Sequence, residues 1–413
     1  MKKTRQEAEL FRLIIKNAEA VEEKVREVRR RIHGNPELSG EERNTAALVA
    51  GALESIGVEV RKNVGGHGVM GIIRGEAGEG RTIALRADMD ALPIQDVKQS
   101  DYASGVPGVM HACGHDVHTS VLLGTAKVLA SIKERLKGNV KLIFQPSEEK
   151  SITGAKMMIK EGILEDPEPN VIVALHCYPE LEAGVIAHKP GIMTAASDKF
   201  KVVVLGKSGH ASRPHQCVDA VLLSALVINA IQHIVSRRTD PLHHAVISIG
   251  TIHGGSALNV IADRVEMEGT VRTLSRDARQ KVRALVEETI KGVTEGMGGG
   301  YELEYEFGTP AVVNDAGVDG LIRRCGMHVV GEENVITMPD PKMGAEDFAY
   351  FTEKVPGALF RLGTSNKEKG LTAKLHSPDF DVDEKALDVG VKTLSWLSAC
   401  YLLKGLPDVI TYS

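Results

Sequence analysis

The sequence predicts an α/β fold in two parts, a larger α/β domain interrupted by a smaller inserted one. Three observations carry this. The chain has 413 residues, too long for one small domain and comfortable for two. At both ends, short β-branched runs alternate with amphipathic helical stretches, which is the pattern of an α/β sheet. In the middle the order becomes strand, helix, strand, strand, helix, strand, the split βαβ or ferredoxin-like arrangement.

Taken in order, residues 6–32 alternate apolar and charged positions at helical spacing, ending near Gly34-Asn35-Pro36. Ser39, followed by Glu41 and Glu42, opens a second helix through Ile56. Strands are expected at 69–73, 82–86, 140–144 and 171–175. Between them, a helix over 116–136 places Val121, Leu122, Thr125, Leu129, Ile132 and Leu136 on one face. The inserted part has strands at 200–205, 245–251, 264–274 and 301–307, with helices at 218–237 and 277–296. A strand at 358–362 and a helix over 383–403 resume the first style. The expected domains are therefore 1–192 joined to 309–413, with 193–308 inserted. The 42 glycines fit a loop-rich α/β protein better than a helical bundle.

Composition excludes several classes. Apolar residues at 43% and charged residues at 25% rule out disordered and collagen-like chains. A net charge of −5, from 50 basic and 55 acidic residues, lacks the basic surplus of a nucleic-acid binder. Five cysteines (113, 177, 217, 325 and 400) show no C-x-x-C spacing, so a reducing, cytoplasmic setting is expected. The N-terminal stretch is charged and lacks the apolar core of a signal peptide. The most apolar run, 218–231, is interrupted by Asp219, Ser224 and Asn229 and reads as too short to span a bilayer.

Ligands of open α/β sheets bind at the carboxyl ends of strands. Asp88 and Asp90 follow the second predicted strand, Glu148 and Glu149 the third, His176 the fourth, and His376 lies beyond the last. The segment His111-Ala112-Cys113-Gly114-His115-Asp116-Val117-His118 precedes the helix expected from 116. Carboxylates, imidazoles and one thiol gathered at one sheet edge are the inventory of a metal site. Each has a plainer explanation, since a strand-end histidine often only caps a loop and paired glutamates often sit in solvent. Cys113 and His115 also admit a thiol nucleophile with its base, although neighbours in a turn rarely reach that geometry. Gly206-Lys207-Ser208 is not a P-loop, because Lys201 stands where the first glycine belongs, and no H-E-x-x-H occurs.

These residues lie in motifs that resemble the M20 metallopeptidase family, in its amidohydrolase branch of N-acyl-amino-acid, hippurate and indole-acetyl-amino-acid hydrolases and related carboxypeptidases. The motifs are His33-Gly34-Asn35-Pro36-Glu37, Leu85 through Pro93, His111 through His118, Phe144 through Glu149, Gly209-His210-Ala211-Ser212, Met343 through Phe348 and Leu375-His376-Ser377-Pro378. The resemblance spans nearly the whole chain. It implies metal ligands at Cys113, His115, Glu149, His176 and His376, with Glu148 as general base. It also implies one or two divalent ions and an inserted lid, 193–308, that pairs two subunits. The chain departs from the wider family's H-x-D at Asp88-Met89-Asp90, which leaves these two aspartates to orient histidine rings. Imidazole, carboxylate and thiolate together suit Zn²⁺, Mn²⁺, Co²⁺ or Ni²⁺.

The function expected is metal-dependent hydrolysis of N-acyl amino acids by water that Glu148 activates. Carboxypeptidase or dipeptidase action on short peptides is the alternative, and a noncatalytic metal-stabilised binding protein a third. His210 is the candidate holder of the oxyanion, and the resemblance implies that it reaches a partner's site. Asn259 and Arg272 are candidates for the substrate carboxylate, Arg272 against the ordinary reading of a solvated strand arginine. No nucleic-acid or membrane partner is expected.

Overall fold

The computed structural model describes residues 2–150 and 154–407. It divides into two compact units. One contains the chain up to Gly191, Val313–Asp340 and the chain from Asp347 onward; the other contains Ile192–Val312 with Pro341–Glu346.

The first unit is built on an eight-stranded mixed sheet. Its order is Glu59–Val64, Gly68–Arg74, Asn139–Gln145, Thr82–Asp88, Val171–Glu182, Gly357–Ser365, Ile186–His188 and Val335–Thr337. The four strands from Asn139–Gln145 to Gly357–Ser365 are parallel neighbours. Thr82–Asp88 is buried at every position, as expected of a parallel strand covered on both faces. In the register of these strands Asp88 pairs with Gln145, Arg86 with Ala174, and Arg361 with His176. Gln145, Asp88, His176 and Arg361 therefore stand at one level across four strands. The helix Lys2–Gly34 packs on His115–Ala130 and Lys385–Lys404, and Ile14, Val121, Leu129, Trp396 and Leu397 share one core.

Of the helix boundaries that differ from expectation, two have a clear physical cause. The helix expected to reach Leu136 stops at Ala130, followed by a 3-10 turn at Lys133–Arg135. Backbone N–H groups of Glu76 and Ala77 take the carbonyls of Lys133 and Leu136, so tertiary hydrogen bonds override the apolar period. Ile132 and Leu136 remain buried all the same. The second helix begins at Arg43, not near Ser39. The Ser39 hydroxyl donates instead to Asp90 Oδ2 at 2.6 Å, and the Glu37 carboxylate accepts from the backbone N–H of Asn44 and Thr45.

The second unit is a four-stranded antiparallel sheet in the order Ala245–Gly254, Arg264–Thr273, Ala196–Leu205, Gly300–Glu306. Helices Ala220–His233 and Arg276–Gly296 complete a β-α-β-β-α-β order. Phe200, Val204, Leu223, Val227, Met267, Val286 and Ile290 form its core. A Cβ at Gly269 would meet the Phe200 ring at 2.4 Å, so that strand position admits only glycine. Asp219 caps the first helix by accepting from Val221 and Leu222 N–H. A π turn, Ile234–Arg238, extends this helix to 19 residues, long and apolar enough by length and composition to cross a membrane. Most of the apolar run 218–231 lies within this longer element, which continues past Ile231 to Arg238. Leu223, Val227, Ile231 and Ile234 of this helix are nevertheless buried in the core of the unit.

Candidate metal centre

The site begins at a left-handed turn. Gly114, at φ 85°, precedes the helix His115–Ala130. A Cβ there would lie 2.6 Å from Cys177 Sγ, so the turn packs directly onto the strand that carries His176. This close approach brings Cys113 and His115 beside His176. The Cys113 thiol lies 3.6 Å from His176 Nε2. His376, itself at φ 63°, is tied to the same turn by its backbone N–H, which donates to the Ala112 carbonyl at 2.8 Å.

Hydrogen bonds set which ring nitrogen of each histidine faces the centre. His176 Nδ1 lies 2.7 Å from the Cys177 carbonyl, so it carries the proton and leaves the Nε2 lone pair toward Cys113. His115 Nδ1 lies 3.2 Å from Asp90 Oδ1, and its buried Nε2 has no hydrogen-bond partner among the described residues. Asp90 also accepts the Glu149 backbone N–H at 2.9 Å. Glu149 Oε1 is likewise buried with no hydrogen-bond partner among the described residues, 3.4 Å from His376 Nε2. Two candidate ligand groups share the thiol, Cys113 with His115 and His176, and Cys113 with Glu149 and His376. In each the ligand atoms lie within 4.8 Å of one another, and Cys113 belongs to both.

A third grouping, Asp88 with His115 and His118, does not offer a comparable set. His118 Nε2 accepts the Cys177 N–H at 2.8 Å, while its Nδ1 lies 2.5 Å from Asp88 Oδ1. Both ring nitrogens are thus engaged, and His118 has no lone pair left for an ion.

Burial and neighbouring charges set the protonation preferences of these groups. Burial pushes the Cys113 thiol well above its usual range. Burial, reinforced by Arg361, holds His176 well below the ordinary imidazole value. Burial alone would lower His115 too, but Asp88 and Cys113 outweigh it and hold it well above. For Asp88, burial is outweighed by His115, Arg86 and His118, which keep the carboxylate ionised. Two buried polar atoms, His115 Nε2 and Glu149 Oε1, that find no hydrogen-bond partner among the described residues are costly in a dry interior beside a thiol and a lone-pair nitrogen. A divalent cation satisfies all four, and this mix of nitrogen, oxygen and sulfur donors suits a transition metal.

Glu148 is next to this cluster: its carboxylate groups with His115 and Glu149, and Oε1 lies 3.4 Å from the Asp347 N–H. The candidates of the second unit are arranged separately. His210 is exposed on the short strand Gly209–His210, paired with Val260, and the Asn259 carbonyl accepts the Ala211 N–H. His210 Nδ1 accepts the Ser212 N–H at 3.1 Å, which leaves the proton on Nε2. Arg272 is in a different sheet, opposite Val246 and Ser197, and burial lowers its guanidinium below the usual value.

Sequence reasoning missed His118 and Arg86. His118 had a signal, the spacing of three from His115 that puts both on one helical face. Arg86 had a fainter one, a charge inside a buried apolar run.

His111, from the same motif, lies outside every ligand group. It is 1% exposed, neither ring nitrogen has a hydrogen-bond partner among the described residues, and burial lowers its pKa to about 3. The folded state therefore refuses a proton that the unfolded chain accepts below about 6.5, and stability is lost as pH falls from there toward 3. At pH 5 this amounts to about 2 kcal/mol. His111→Leu is expected to match the parent near pH 7 and exceed its stability at pH 5 by that amount in urea titrations. Parallel losses in the two proteins on acidification would refute it.

The family model for peptidase family M20/M25/M40 matches residues 84–398. The chain is 41% identical over 286 residues to an N-acyl-L-amino acid amidohydrolase of Geobacillus stearothermophilus, covering 69% of this chain and 76% of the relative. It is 40% identical over 373 residues to thermostable carboxypeptidase 2 of Saccharolobus solfataricus, covering 90% and 93%. Among solved structures, the YXEP protein of Bacillus subtilis, described as a dinuclear metal-binding peptidase of the M20 family, superposes with TM-score 0.81 at 33% identity, covering 93% and 99%.

Proposed function

The chain belongs to peptidase family M20/M25/M40 and is a metal-dependent hydrolase, and from that premise we propose that it cleaves the amide bond of N-acyl amino acids. The products are a carboxylic acid and a free amino acid. The observation that carries this reading is the convergence of two ligand groups on the Cys113 thiol, with Glu148 alongside. Cys113, His115 and His176 would hold one ion, and Cys113, Glu149 and His376 a second. A divalent cation supplies Lewis acidity toward water and the amide carbonyl when bound.

The chain's own residues supply the rest. Asp90 fixes the His115 ring through Nδ1, and the Cys177 carbonyl does the same for His176. Glu148 takes the proton of the attacking water and returns it to the departing nitrogen, which makes the amine a competent leaving group. His210, with its proton on Nε2, is the proposed oxyanion donor in a neighbouring copy's site. Asn259 and Arg272 are the proposed contacts of the substrate carboxylate.

The second unit supports pairing of copies. Its outer strand Ala245–Gly254 is a sheet edge, and Val221, Leu222, Leu226, Val246 and Ile252 are exposed. Five unpaired cysteines support a reducing, cytoplasmic setting. A noncatalytic binding role is disfavoured by Glu148, which such a protein would not need.

Cleavage of short peptides from the carboxyl end is the second reading, favoured by the likeness to the Saccharolobus carboxypeptidase. A panel of N-acyl amino acids and dipeptides, assayed on Mn²⁺-, Zn²⁺- and Co²⁺-loaded protein, separates the two. Higher kcat/KM on N-acyl amino acids is expected. Preference for dipeptides would replace this reading with the second, and sedimentation of the same samples should show a dimer.

A further inference from the structure

Thr82–Asp88 is buried throughout, yet it carries Arg86, only 1% exposed. Taking a guanidinium out of water is very unfavourable unless partners replace the lost solvation. Its partners include three hydrogen-bond acceptors. Nη1 donates to Asp88 Oδ2 at 2.6 Å, Nε to Gln145 Oε1 at 2.8 Å and Nη2 to Asp347 Oδ1 at 2.9 Å.

Asp88 and Asp347 lead to different parts of the centre. From Asp88 the chain of hydrogen bonds runs to His118 Nδ1, from His118 Nε2 to the Cys177 N–H, and from the Cys177 carbonyl to His176 Nδ1. From Asp347 it runs through the backbone N–H to Glu148 Oε1 at 3.4 Å. Gln145 braces this second arm, since its Nε2 donates to the Asp347 carboxylate at 2.8 Å.

We propose that Arg86 is a positioning residue that sets the separation between the His176 ring and the Glu148 carboxylate, a role that rests on the metallohydrolase reading. A neutralising charge alone would need one carboxylate and any cation. Here the planar fork of donors is divided between two arms, and a lysine ammonium on its flexible stem cannot reproduce that division. Arg86 touches neither substrate nor ion; it acts through Asp88 and Asp347.

The test uses Arg86→Lys and Asp347→Asn in the full-length protein. Steady-state kinetics are measured at saturating metal, together with Co²⁺ stoichiometry, the visible spectrum of the Co²⁺-loaded protein and circular dichroism. Displacing a reacting group by about 1 Å costs on the order of 10²-fold in rate, so kcat should fall by that much with KM little changed. Arg86→Lys should also shift the thiolate–cobalt bands, because its first arm ends on His176. Asp347→Asn should lower kcat and leave those bands in place, because its arm ends on Glu148. If kcat and spectrum are retained while only thermal stability drops, Arg86 is scaffold and the proposal is overturned. Full restoration of kcat by added metal would overturn it as well. Should Arg86→Lys fail to fold, Asp88→Asn and Asp347→Asn decide, the first on the spectrum and the second on kcat. A parent protein that binds no Co²⁺, or a fully active Glu148→Gln, would instead refute the underlying metallohydrolase reading.

Discussion

Dialysis against a chelator is expected to abolish hydrolysis, and Mn²⁺, Zn²⁺ or Co²⁺ to restore it. Cys113 decides how steeply this depends on pH. Burial holds its thiol well above the ordinary value, so the metal-free protein keeps that proton across the neutral range. Loading an ion on the thiolate and on the His115 ring must then release protons, and apparent affinity should rise at least about tenfold per pH unit below the thiol's own pKa. Because Cys113 belongs to both ligand groups, Cys113→Ser weakens both at once. Outer-shell changes already cost about 10–100-fold in metal affinity, and loss of a shared thiolate should exceed that range. Cys325 and Cys400, buried in the main core away from these groups, serve as controls, and their alanine variants should keep full metal content. Full activity in protein shown by elemental analysis to be metal-free would refute the metal role. It would also revive Cys113 and His115 as a nucleophile and its base.

What was legible in the sequence depends on the range of the interactions involved. The strands around the site read clearly, because a fully buried parallel strand is a continuous apolar run, and the residues after each run could be tabulated. The edge strand Glu59–Val64 gave no such signal, since only Val64 in it is buried. The helix Ala316–Val330 was also missed: Gly317, Gly320 and Gly326 lower its helical propensity. Two of the three lie in the interior, Gly317 against Leu406 and Gly326 against Val335 and Ile186, where tertiary packing outweighs propensity.

The candidate ligands were visible because motif residues cluster locally, as in the turn from His111 to His118. The groups that orient them were not. Arg86 and Asp347 lie 261 positions apart, and Gln145 and Asp347 202 apart, so no local spacing joins them. The Ser39 hydroxyl illustrates the converse. Its position suggested a helix cap, but a buried aspartate 51 residues away is the better acceptor.

Glu148→Gln and Glu149→Gln are expected to fail in different ways, although the two side chains are adjacent. Glutamine in place of Glu148 keeps the size and leaves both proposed ligand groups intact, but it cannot take a proton. Loss of a general base typically costs ~10²–10⁴-fold, so turnover should collapse by that factor while bound metal stays at the parental level. Glutamine in place of Glu149 acts on the ion instead. It replaces a charged ligand oxygen with a neutral amide, leaving one fewer negative charge near His376 and Cys113. Metal content should drop first, and turnover should recover in part as metal concentration is raised. Glu149 also donates its backbone N–H to Asp90, a contact the substitution preserves, so any loss is assignable to the side chain. Bound metal and turnover for both variants therefore give a two-by-two pattern. The reverse pattern would exchange the two roles. Mild and equal effects in both would mean that neither carboxylate takes part in the chemistry, and the hydrolytic mechanism proposed for this site would fall with them.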